Sequence, residues 1–362
     1  MLHCVQRSEP LRLQKAIGSI DIADTANDPR MTPAVMLKLG DAAMQMGAVR
    51  RAFELYNEVL QTTPKDAAKA IAARQRMILS VPDWHARMMN DTRRNQAYDT
   101  AIRRAVKPGA RVFEIGTGAG LLAMMAARAG AAQVISCEMN PAVAEAAREI
   151  VACNGFADQI TILNKHSRDV TLDDLGGPAD VLLSEIVDDC ILGEGVLPAH
   201  EGALRLLKPG AKIIPTRGKV RAALVETQAA QSSMLDNVDG FDVRLFRKFI
   251  NHRNRIASGD VRTKMASEPV EVFNFDLTCP VIAEPAETTV SLRALGGKAN
   301  AVAHWIVLDL DDITSYENCP DADFRSCWEI PLIPLAEPIE LQPGESFAIH
   351  ASHDRSRLTV WV

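Results

Sequence analysis

The chain has 362 residues, 47% of them hydrophobic and 24% charged, which is the composition of an ordinary globular protein of two or three domains. Its net charge of −6 argues against a protein that binds nucleic acid directly, because such proteins usually present a basic face. The seven cysteines form no Cys-x-x-Cys pair, and no apolar run nears the roughly 18 residues of a membrane span, so we expect a cytoplasmic protein without a metal site or membrane contact.

Residues 1–80 are predicted to form a helical extension. A short amphipathic helix is expected around Leu11–Ile20, and residues 31–79 are rich in strong helix formers. Eight positions match the spacing of one tetratricopeptide-like unit: Met36, Leu39, Gly40, Ala43, Ala52, Tyr56, Val59 and Pro64. The alternative is a plain helical hairpin packed on the next domain, since a single repeat cannot bury its own apolar face.

Residues 81–215 begin with two predicted helices, one after Pro82 and one from Thr92 to Val106, and then alternate strands with helices. The predicted strands are Val112–Ile115, Val134–Glu138, Ile160–Leu163, Val181–Glu185 and Lys212–Pro215. The helices between them are predicted at Leu121–Ala129, Ala142–Asn154 and His200–Leu207. This alternation predicts an α/β Rossmann-type core, with a mostly parallel sheet covered by helices on both faces.

A glycine-rich loop follows the first predicted strand. Gly116, Gly118 and Gly120 allow a tight turn and a close backbone approach to a ligand at a helix N-terminus. A dinucleotide loop would have its third glycine at position 121, where this chain has Leu121. Glu138 ends the next strand, where a carboxylate can accept hydrogen bonds from both hydroxyls of a ribose. The alternative is a glycine turn with a purely structural role.

Residues 184–195 interrupt the fourth predicted strand with acids and glycines. Glu185 and Glu194 lie nine positions apart, and Gly193 and Gly195 flank the second glutamate. The chain can therefore fold back and bring both carboxylates to one site. The alternative is a polar loop whose acids face water, which is the commoner arrangement for a cluster of charges.

Residues 216–362 change to short apolar alternations separated by proline and glycine. Strands are predicted at Val220–Val225, Val270–Leu277, Thr288–Leu295, Ala301–Leu310, Phe347–His350 and Leu358–Val362. This pattern predicts an antiparallel β-barrel-like or sandwich domain. Residues 232–254 are polar and aromatic instead, and they predict an excursion from the sheet.

From about residue 83 onward, these motifs resemble the protein arginine methyltransferases. The run Glu-x-Gly-x-Gly-x-Gly from Glu114 to Gly120 looks like the S-adenosylmethionine loop of Rossmann-type methyltransferases. The segment Ser184–Glu194 looks like the family's double-glutamate loop, which grips the substrate guanidinium. The resemblance implies S-adenosyl-L-methionine as the cofactor and an arginine in a protein or peptide as the substrate.

The resemblance also implies which residues hold the cofactor. Met88, Asp91, Arg94 and Tyr98 fall at the spacing of the cofactor-covering helix, where the family's arginine meets the methionine carboxylate of the cofactor. The family's adenine-binding acid has no certain counterpart, and Asp169 is the candidate, with Ser167 nearby. The complete predicted cofactor set is Met88, Arg94, Glu114, Gly116, Gly118, Gly120, Glu138, Ser167 and Asp169.

Further roles follow from the segment Ala303-His304-Trp305, which is similar to the family's Thr-His-Trp loop without its threonine. The similarity implies that His304 pairs with Asp91 across the domain boundary and that Trp305 lies near the substrate. Asp188 is expected near the mouth of the site, where it would favour substrates with a second basic residue. The predicted catalytic residues are Glu185, Glu194, His304 and Asp91.

Residues 164–167, Asp188 and Gly195 look most like the family branch that makes monomethyl or symmetric dimethyl arginine. Members of that branch are often tandem duplicated, and one subgroup carries tetratricopeptide repeats before the catalytic domain. This chain has one catalytic copy, which leaves open a homodimer in place of the internal pair. We expect the extension to dock a protein partner. The alternatives are a methyltransferase for a small molecule or another side chain, and a non-catalytic scaffold.

Overall fold

The computed structural model describes residues 30–46, 48–79, 81, 84–230, 237–249 and 254–362. The described chain consists of a group of helices, a parallel sheet flanked by helices, and a set of antiparallel sheets. The helix expected at residues 11–20 lies outside the described residues. None of the helices described is long and apolar enough to span a membrane.

The N-terminal group contains α1 (Pro33–Gln45), α2 (Val49–Thr62) and α3 (Ala68–Leu79). Gly40 lets α1 approach α2 closely, because a Cβ at this position would lie 2.3 Å from the ring of Tyr56. Asp41 connects all three helices, since it accepts hydrogen bonds from the Tyr56 hydroxyl at 3.0 Å and from Arg76 Nε at 2.6 Å. The predicted helices are present, and their assignment to a tetratricopeptide unit stays a prediction.

The central region begins with α4 (Trp84–Met89) and α5 (Thr92–Ala105). Its further elements are β1 (Arg111–Ile115), α6 (Leu121–Arg128), β2 (Gln133–Cys137), α7 (Pro141–Cys153), β3 (Ile160–Leu163), α8 (Leu172–Leu175), β4 (Ala179–Ser184), α9 (Val196–Ala203) and β5 (Leu207–Ile214). The five strands are parallel, in the order β3-β2-β1-β4-β5. The order reverses between β1 and β4, and such a switch point opens a crevice at the carboxyl ends of the strands.

The helix predicted at residues 200–207 is wrong by four residues, because α9 begins at Val196. Gly195 is the N-cap and adopts φ +77, and Pro198 lies in the first turn, where its missing N–H costs no hydrogen bond. A 3-10 turn at Leu204–Leu206 then ends the helical segment, and β5 starts at Leu207 rather than at the predicted Lys212.

The C-terminal region is antiparallel throughout its described strands. They are β6 (Arg217–Thr227), β7 (Asn237–Val238), β8 (Phe241–Asp242), β9 (Asn254–Ile256), β10 (Thr263–Met265), β11 (Val270–Asp276), β12 (Ala286–Arg293), β13 (Gly297–Asp309), β14 (Ser315–Glu317), β15 (Ile330–Leu341), β16 (Ser346–His353) and β17 (Leu358–Trp361). The largest sheet has the order β10-β6-β13-β15-β9, and β12, β16 and β17 form a second sheet. Within the predicted excursion, β7 and β8 pair as a short hairpin, followed by a 3-10 helix at Arg244–Phe249.

The acidic segment after β4 packs between the two sheet regions. Its apolar residues Val187 and Ile191 are buried in the same cluster as Val220 of β6 and Ile306 of β13. Trp328, just before β15, donates a hydrogen bond from Nε1 to the carbonyl of Val187 at 2.9 Å. The antiparallel region therefore holds the loop that carries the two predicted glutamates.

Candidate active site

A cavity of about 800 Å³ lies at the carboxyl ends of β1, β2 and β4. Eight of the predicted site residues line it: Met88, Arg94, Gly116, Gly118, Glu138, Ser167, Glu185 and Glu194. Seven others are absent from its lining, namely Asp91, Glu114, Gly120, Asp169, Asp188, His304 and Trp305. The cofactor residues and the pair of glutamates thus share one space.

The glycine loop presents its backbone to this cavity. All three glycines have a positive φ, which is +83 at Gly116, +51 at Gly118 and +78 at Gly120. The N–H of Gly118 donates to Glu138 Oε2 at 3.2 Å. Among the described residues, a Cβ at Gly118 would have only Met88 Cε within 4 Å, at 3.8 Å, which leaves space before this glycine for a ligand. Burial of Glu138 raises the pKa of its carboxyl.

Glu114 supports the loop from behind, and the expectation that it contacts the cofactor is wrong. It is almost completely buried, and its Oε2 accepts a hydrogen bond from the hydroxyl of Ser136. Ser136 also contacts the hydroxyl of Thr117 at 2.5 Å, which connects Glu114 to the loop. Burial raises the pKa of Glu114 to about 8, so this carboxyl is protonated at neutral pH.

The wall after β3 differs from the predicted adenine site. Asp169 is exposed, and its nearest ion-pair partner is Arg168 at 3.7 Å. Lys165, His166 and Ser167 line the cavity there instead. Ser167 is therefore the predicted residue that the structure places on this wall, and Asp169 is not.

Arg94 is buried beside the cavity and pairs directly with Glu185. Its Nη2 donates to Glu185 Oε2 at 2.5 Å, and its Nη1 donates to Asn95 Oδ1 at 2.8 Å. Burial opposes ionisation, yet the charge of Glu185 outweighs it and raises the pKa of Arg94. The buried Nε has no hydrogen-bond partner among the described residues. An unpaired donor at the cavity wall fits the carboxylate of S-adenosyl-L-methionine, which the resemblance assigned to this side chain.

Glu194 lines the same cavity and is exposed to solvent. Desolvation and the like charges of Glu185, Asp188 and Glu138 raise the pKa of Glu194 to about 8. Water at the open side screens part of this effect. A carboxyl in this position would ionise readily once a cation entered the cavity.

Asp188 organises the acidic loop through one oxygen of its carboxylate. Its Oδ1 accepts hydrogen bonds from the N–H of Cys190 at 3.0 Å and of Gly193 at 3.1 Å. The neighbouring Asp189 pairs with Arg255 of β9 at 2.5 Å. Asp188 does not line the cavity, and its expected role toward a second basic substrate residue stays a prediction.

The predicted pair of His304 and Asp91 is also wrong. Asp91 caps α5 by accepting from the Arg94 N–H at 2.9 Å, and its second oxygen accepts from the Tyr316 hydroxyl at 2.5 Å and the Cys327 N–H at 2.9 Å. Across the described chain, no hydrogen bond joins it to His304. Burial lowers the pKa of His304 to about 4, so its imidazole is neutral and brings no charge to such a pair. Tyr316 provides the connection between the domains that was expected of His304.

Trp305 cannot contact a substrate, contrary to the expectation. It is buried in the antiparallel domain together with Ala223 and Ala303, and its Nε1 donates to Glu317 at 2.7 Å. Glu317 also pairs with Arg221 at 3.1 Å. The indole therefore has a structural role inside the sheet.

The structure adds cavity residues that the sequence did not indicate. Trp84 and His85 stack at 4.0 Å on one another and line the cavity beside Met88, and Met139 and Met44 complete the same wall. The stacked pair lies at the start of α4, the helix that carries Met88. This position next to a predicted cofactor residue is the signal from which the pair could have been predicted. Met44 belongs to α1, and no local pattern predicts contact between that helix and the cavity.

The sheet order, the glycine loop and the position of Glu138 define a Rossmann-type methyltransferase that uses S-adenosyl-L-methionine. In agreement, a family model described as ribosomal protein L11 methyltransferase (PrmA) matches residues 96–217, the segment that contains the parallel sheet. The similarity concerns the cofactor-binding part of the chain.

Relatives in sequence narrow this class. The chain is 39% identical over 291 residues to an arginine N(omega)-methyltransferase of Streptomyces achromogenes subsp. streptozoticus, and the match covers 78% of each chain. It is 32% identical over 305 residues to protein arginine N-methyltransferase 7 of Danio rerio, where it covers 75% of this chain but only 44% of that protein. The chain therefore belongs to the arginine N-methyltransferase family, and it is a methyltransferase enzyme.

Solved structures agree with the fold. The chain matches the Trypanosoma brucei PRMT1 enzyme-prozyme heterotetrameric complex with AdoHcy at a TM-score of 0.66 and 23% identity, over 75% of this chain and 88% of that one. It matches Arabidopsis thaliana protein arginine methyltransferase 10 at a TM-score of 0.60 and 18% identity, over 74% and 86%. The predicted fold class, an α/β core followed by an antiparallel β domain, is confirmed.

Proposed function

We propose that this chain transfers a methyl group from S-adenosyl-L-methionine to a guanidinium nitrogen of arginine in a protein or peptide. The observation that carries the proposal is the presence of Glu185 and Glu194 in the cavity that also contains Gly118 and Glu138. Two carboxylates beside a cofactor site suit a planar, cationic substrate group. By its resemblance to one branch of the family, the product is monomethyl or symmetric dimethyl arginine.

Some residues of the cavity would bind the cofactor, and others would hold the substrate. The bound cofactor supplies a methyl group on a sulfonium. Arg94 would hold its carboxylate through the unpaired Nε–H, and Glu138 would accept hydrogen bonds from its ribose. Guanidinium is a cation at any physiological pH, so it must be held against the repulsion of a second cation. Glu185 and Glu194 offset this repulsion and fix the guanidinium plane, and orientation supplies much of the acceleration.

A second candidate substrate is free arginine. The Streptomyces relative that matches 78% of its own length is named for arginine without mention of a protein. This possibility differs from the proposal only in the substrate that is methylated, because both reactions need the same guanidinium site.

The test offers free L-arginine, an arginine-rich peptide and the matching lysine-rich peptide to the chain with labelled cofactor, followed by mass spectrometry. Methylation of the arginine peptide with a clearly higher kcat/KM than free arginine supports the proposal. Methylation of free arginine alone overturns the protein substrate, and methylation of the lysine peptide overturns the guanidinium site. No transfer to any of the three overturns arginine as the methyl acceptor.

The pH dependence follows from Glu194. Since its pKa is raised to about 8, the carboxyl is largely protonated at pH 7, and its ionised form is lost as the pH falls through that value. We expect kcat/KM for the arginine substrate to rise between about pH 7 and 9 and then to level. Glu194→Gln should flatten this limb. A wild-type profile that is already flat from pH 6.5 upward would contradict the assignment.

The N-terminal helices contribute to the cofactor cavity in addition to the protein docking expected of them. Met44 packs on the core of the three-helix group and also lines the cavity. Burying a methionine side chain is worth about 1.5–3 kcal/mol, and part of that contact would be made with the cofactor.

We therefore expect Met44→Ala to weaken S-adenosyl-L-methionine binding by about 3- to 30-fold in calorimetry, which corresponds to about 0.7–2 kcal/mol, a part of that burial energy. Met46→Ala is the matched control, since Met46 is 43% exposed and does not line the cavity. Equal cofactor affinities for the two variants would mean that the N-terminal helices do not contribute to cofactor binding, and docking would be their only expected role. Removal of residues 1–80 should then also leave cofactor binding intact.

We also propose that the chain forms a homodimer through the excursion at residues 237–249. Phe241 is 72% exposed and Leu245 is 83% exposed, and they lie four positions apart in the sequence, at β8 and in the 3-10 helix that follows it. Exposed apolar clusters of this kind usually mark an interaction surface. Sedimentation of the full chain would give a dimer, and a monomer at micromolar concentration would contradict it.

A further inference from the structure

A buried serine–histidine pair lies directly behind the acidic loop. Ser184 is the last residue of β4 and immediately precedes Glu185. Its Oγ lies 2.6 Å from Nε2 of His200, a residue of α9. Both side chains are almost completely buried, so neither can take part in methyl transfer by touching a ligand in the cavity.

The direction of both hydrogen bonds of His200 is fixed by chemistry. Nδ1 lies 3.2 Å from the carbonyl oxygen of Leu277, and a carbonyl can only accept, so Nδ1 carries the proton. Nε2 is then the acceptor, and the Ser184 hydroxyl donates to it. Burial lowers the pKa of His200 to about 4, so the imidazole keeps this neutral form across the working pH range.

This pair joins the two ends of the loop that carries the glutamates. Ser184 precedes Glu185 at one end, and α9 begins at Val196, two residues after Glu194, at the other. The Tyr98 hydroxyl donates to the Ser184 carbonyl at 3.1 Å, which connects the same point to the helix that carries Arg94. A shift at Ser184 would therefore move Glu185 relative to Glu194.

We propose that His200 is a positioning residue that fixes, through Ser184, the separation of Glu185 and Glu194. The inference rests on the proposed function, because it gives the two glutamates a common substrate. The link to Leu277 extends this anchor to the antiparallel domain. The two hydrogen bonds engage both ring nitrogens of His200 in one tautomer, which holds the imidazole in a single orientation behind the loop.

Isosteric variants separate the two hydrogen bonds. In His200→Gln the amide oxygen can accept from Ser184 near the position of Nε2, whereas in His200→Asn the amide nitrogen can donate to Leu277 near the position of Nδ1. We expect His200→Asn and Ser184→Ala to lower kcat on the arginine substrate by about 10- to 100-fold, because a shift of about 1 Å in a reacting group has an effect of that size. His200→Gln should keep most of the wild-type kcat.

The affinity for S-adenosyl-L-methionine should stay within about 3-fold of wild type in all three variants, since the pair does not line the cavity. The double variant Ser184→Ala/His200→Asn should be no slower than the worse single variant, as expected when two changes remove one interaction. His353→Asn is the matched control, because His353 is another buried histidine and lies in β16, away from the cavity. It should leave kcat unchanged.

Rates are to be measured well below each variant's unfolding midpoint. The inference is overturned if Ser184→Ala turns over at the wild-type rate while Glu185→Gln is impaired. It is also overturned if kcat falls equally in the Gln, Asn and His353→Asn variants, since loss of stability would then explain the result. A failure of the proposed function differs from both, because wild type and Glu185→Gln would then be equally inactive on arginine. Should His200→Gln fail to fold, Ser184→Ala decides alone.

Discussion

Glu194→Gln is expected to lower the rate of methyl transfer to arginine by about 10²–10³-fold at saturating cofactor, as is typical when one transition-state electrostatic contact is lost. The substitution preserves the volume of the side chain but removes one acceptor for the guanidinium and the negative charge that Glu194 acquires when this cation enters. Cofactor affinity should change little, because the residues expected to hold the cofactor are elsewhere in the cavity. Single-turnover methylation of a peptide is the appropriate measurement.

Glu185→Gln is expected to slow transfer by a similar factor and also to lower the unfolding midpoint. The side chains of Glu185 and Arg94 are only 5% and 2% exposed, and removing one partner of a buried ion pair leaves an uncompensated charge. Glu284→Gln, at an exposed position before β12, is the control for loss of one negative charge. Wild-type rates in both cavity variants would mean that the loop is only a solvated acidic turn, and the arginine substrate would have to be abandoned.

The second large effect is expected from Gly118→Val, which should abolish binding of S-adenosyl-L-methionine. Gly118 has φ +51, and a valine there would be strained and would project into the space before the loop. The substitution should also weaken the hydrogen bond from the Gly118 N–H to Glu138. Calorimetry with the folded variant measures the loss directly.

Gly109→Val is the control that separates the effect of backbone strain from the effect of blocking the cavity. Gly109 has φ +87, and a Cβ there would meet no atom of the described residues within 4 Å, so this variant carries the backbone strain outside the cavity. It should bind the cofactor with wild-type affinity even if its stability falls. An unchanged affinity in folded Gly118→Val would contradict the assignment of the glycine loop to the cofactor.

The central site could be predicted because its residues lie on short strand–turn–helix units. The positions of Gly118, Glu138 and Glu185 follow from where β1, β2 and β4 end, and parallel strands bring those ends to one edge. The glutamate nine residues after Glu185 was also predictable, since the glycines around it permit the chain to return. Most of the predicted residues that line the cavity could therefore be found from local spacing in the sequence.

Contacts between distant segments could not be predicted in the same way. Asp91 and Tyr316 are 225 residues apart, and packing decided that a tyrosine hydroxyl rather than His304 would reach the carboxylate. The strand β15 was missed because its three prolines argue against a strand within a sheet. Among the described residues it pairs with β13 on one side and with β9 over Ile330–Leu332, so much of its other edge has no described ladder for the prolines to interrupt.

We expect the ion pair between Arg94 and Glu185 to determine the order in which the cofactor and the substrate bind. While Arg94 holds one oxygen of Glu185, its positive charge also repels any guanidinium that approaches that carboxylate. A carboxylate bound at the Nε–H of Arg94 would neutralise this charge and leave Glu185 to face the substrate. Cofactor should accordingly bind first and its demethylated form leave last, so that product inhibition by the latter is competitive with the cofactor and not with arginine.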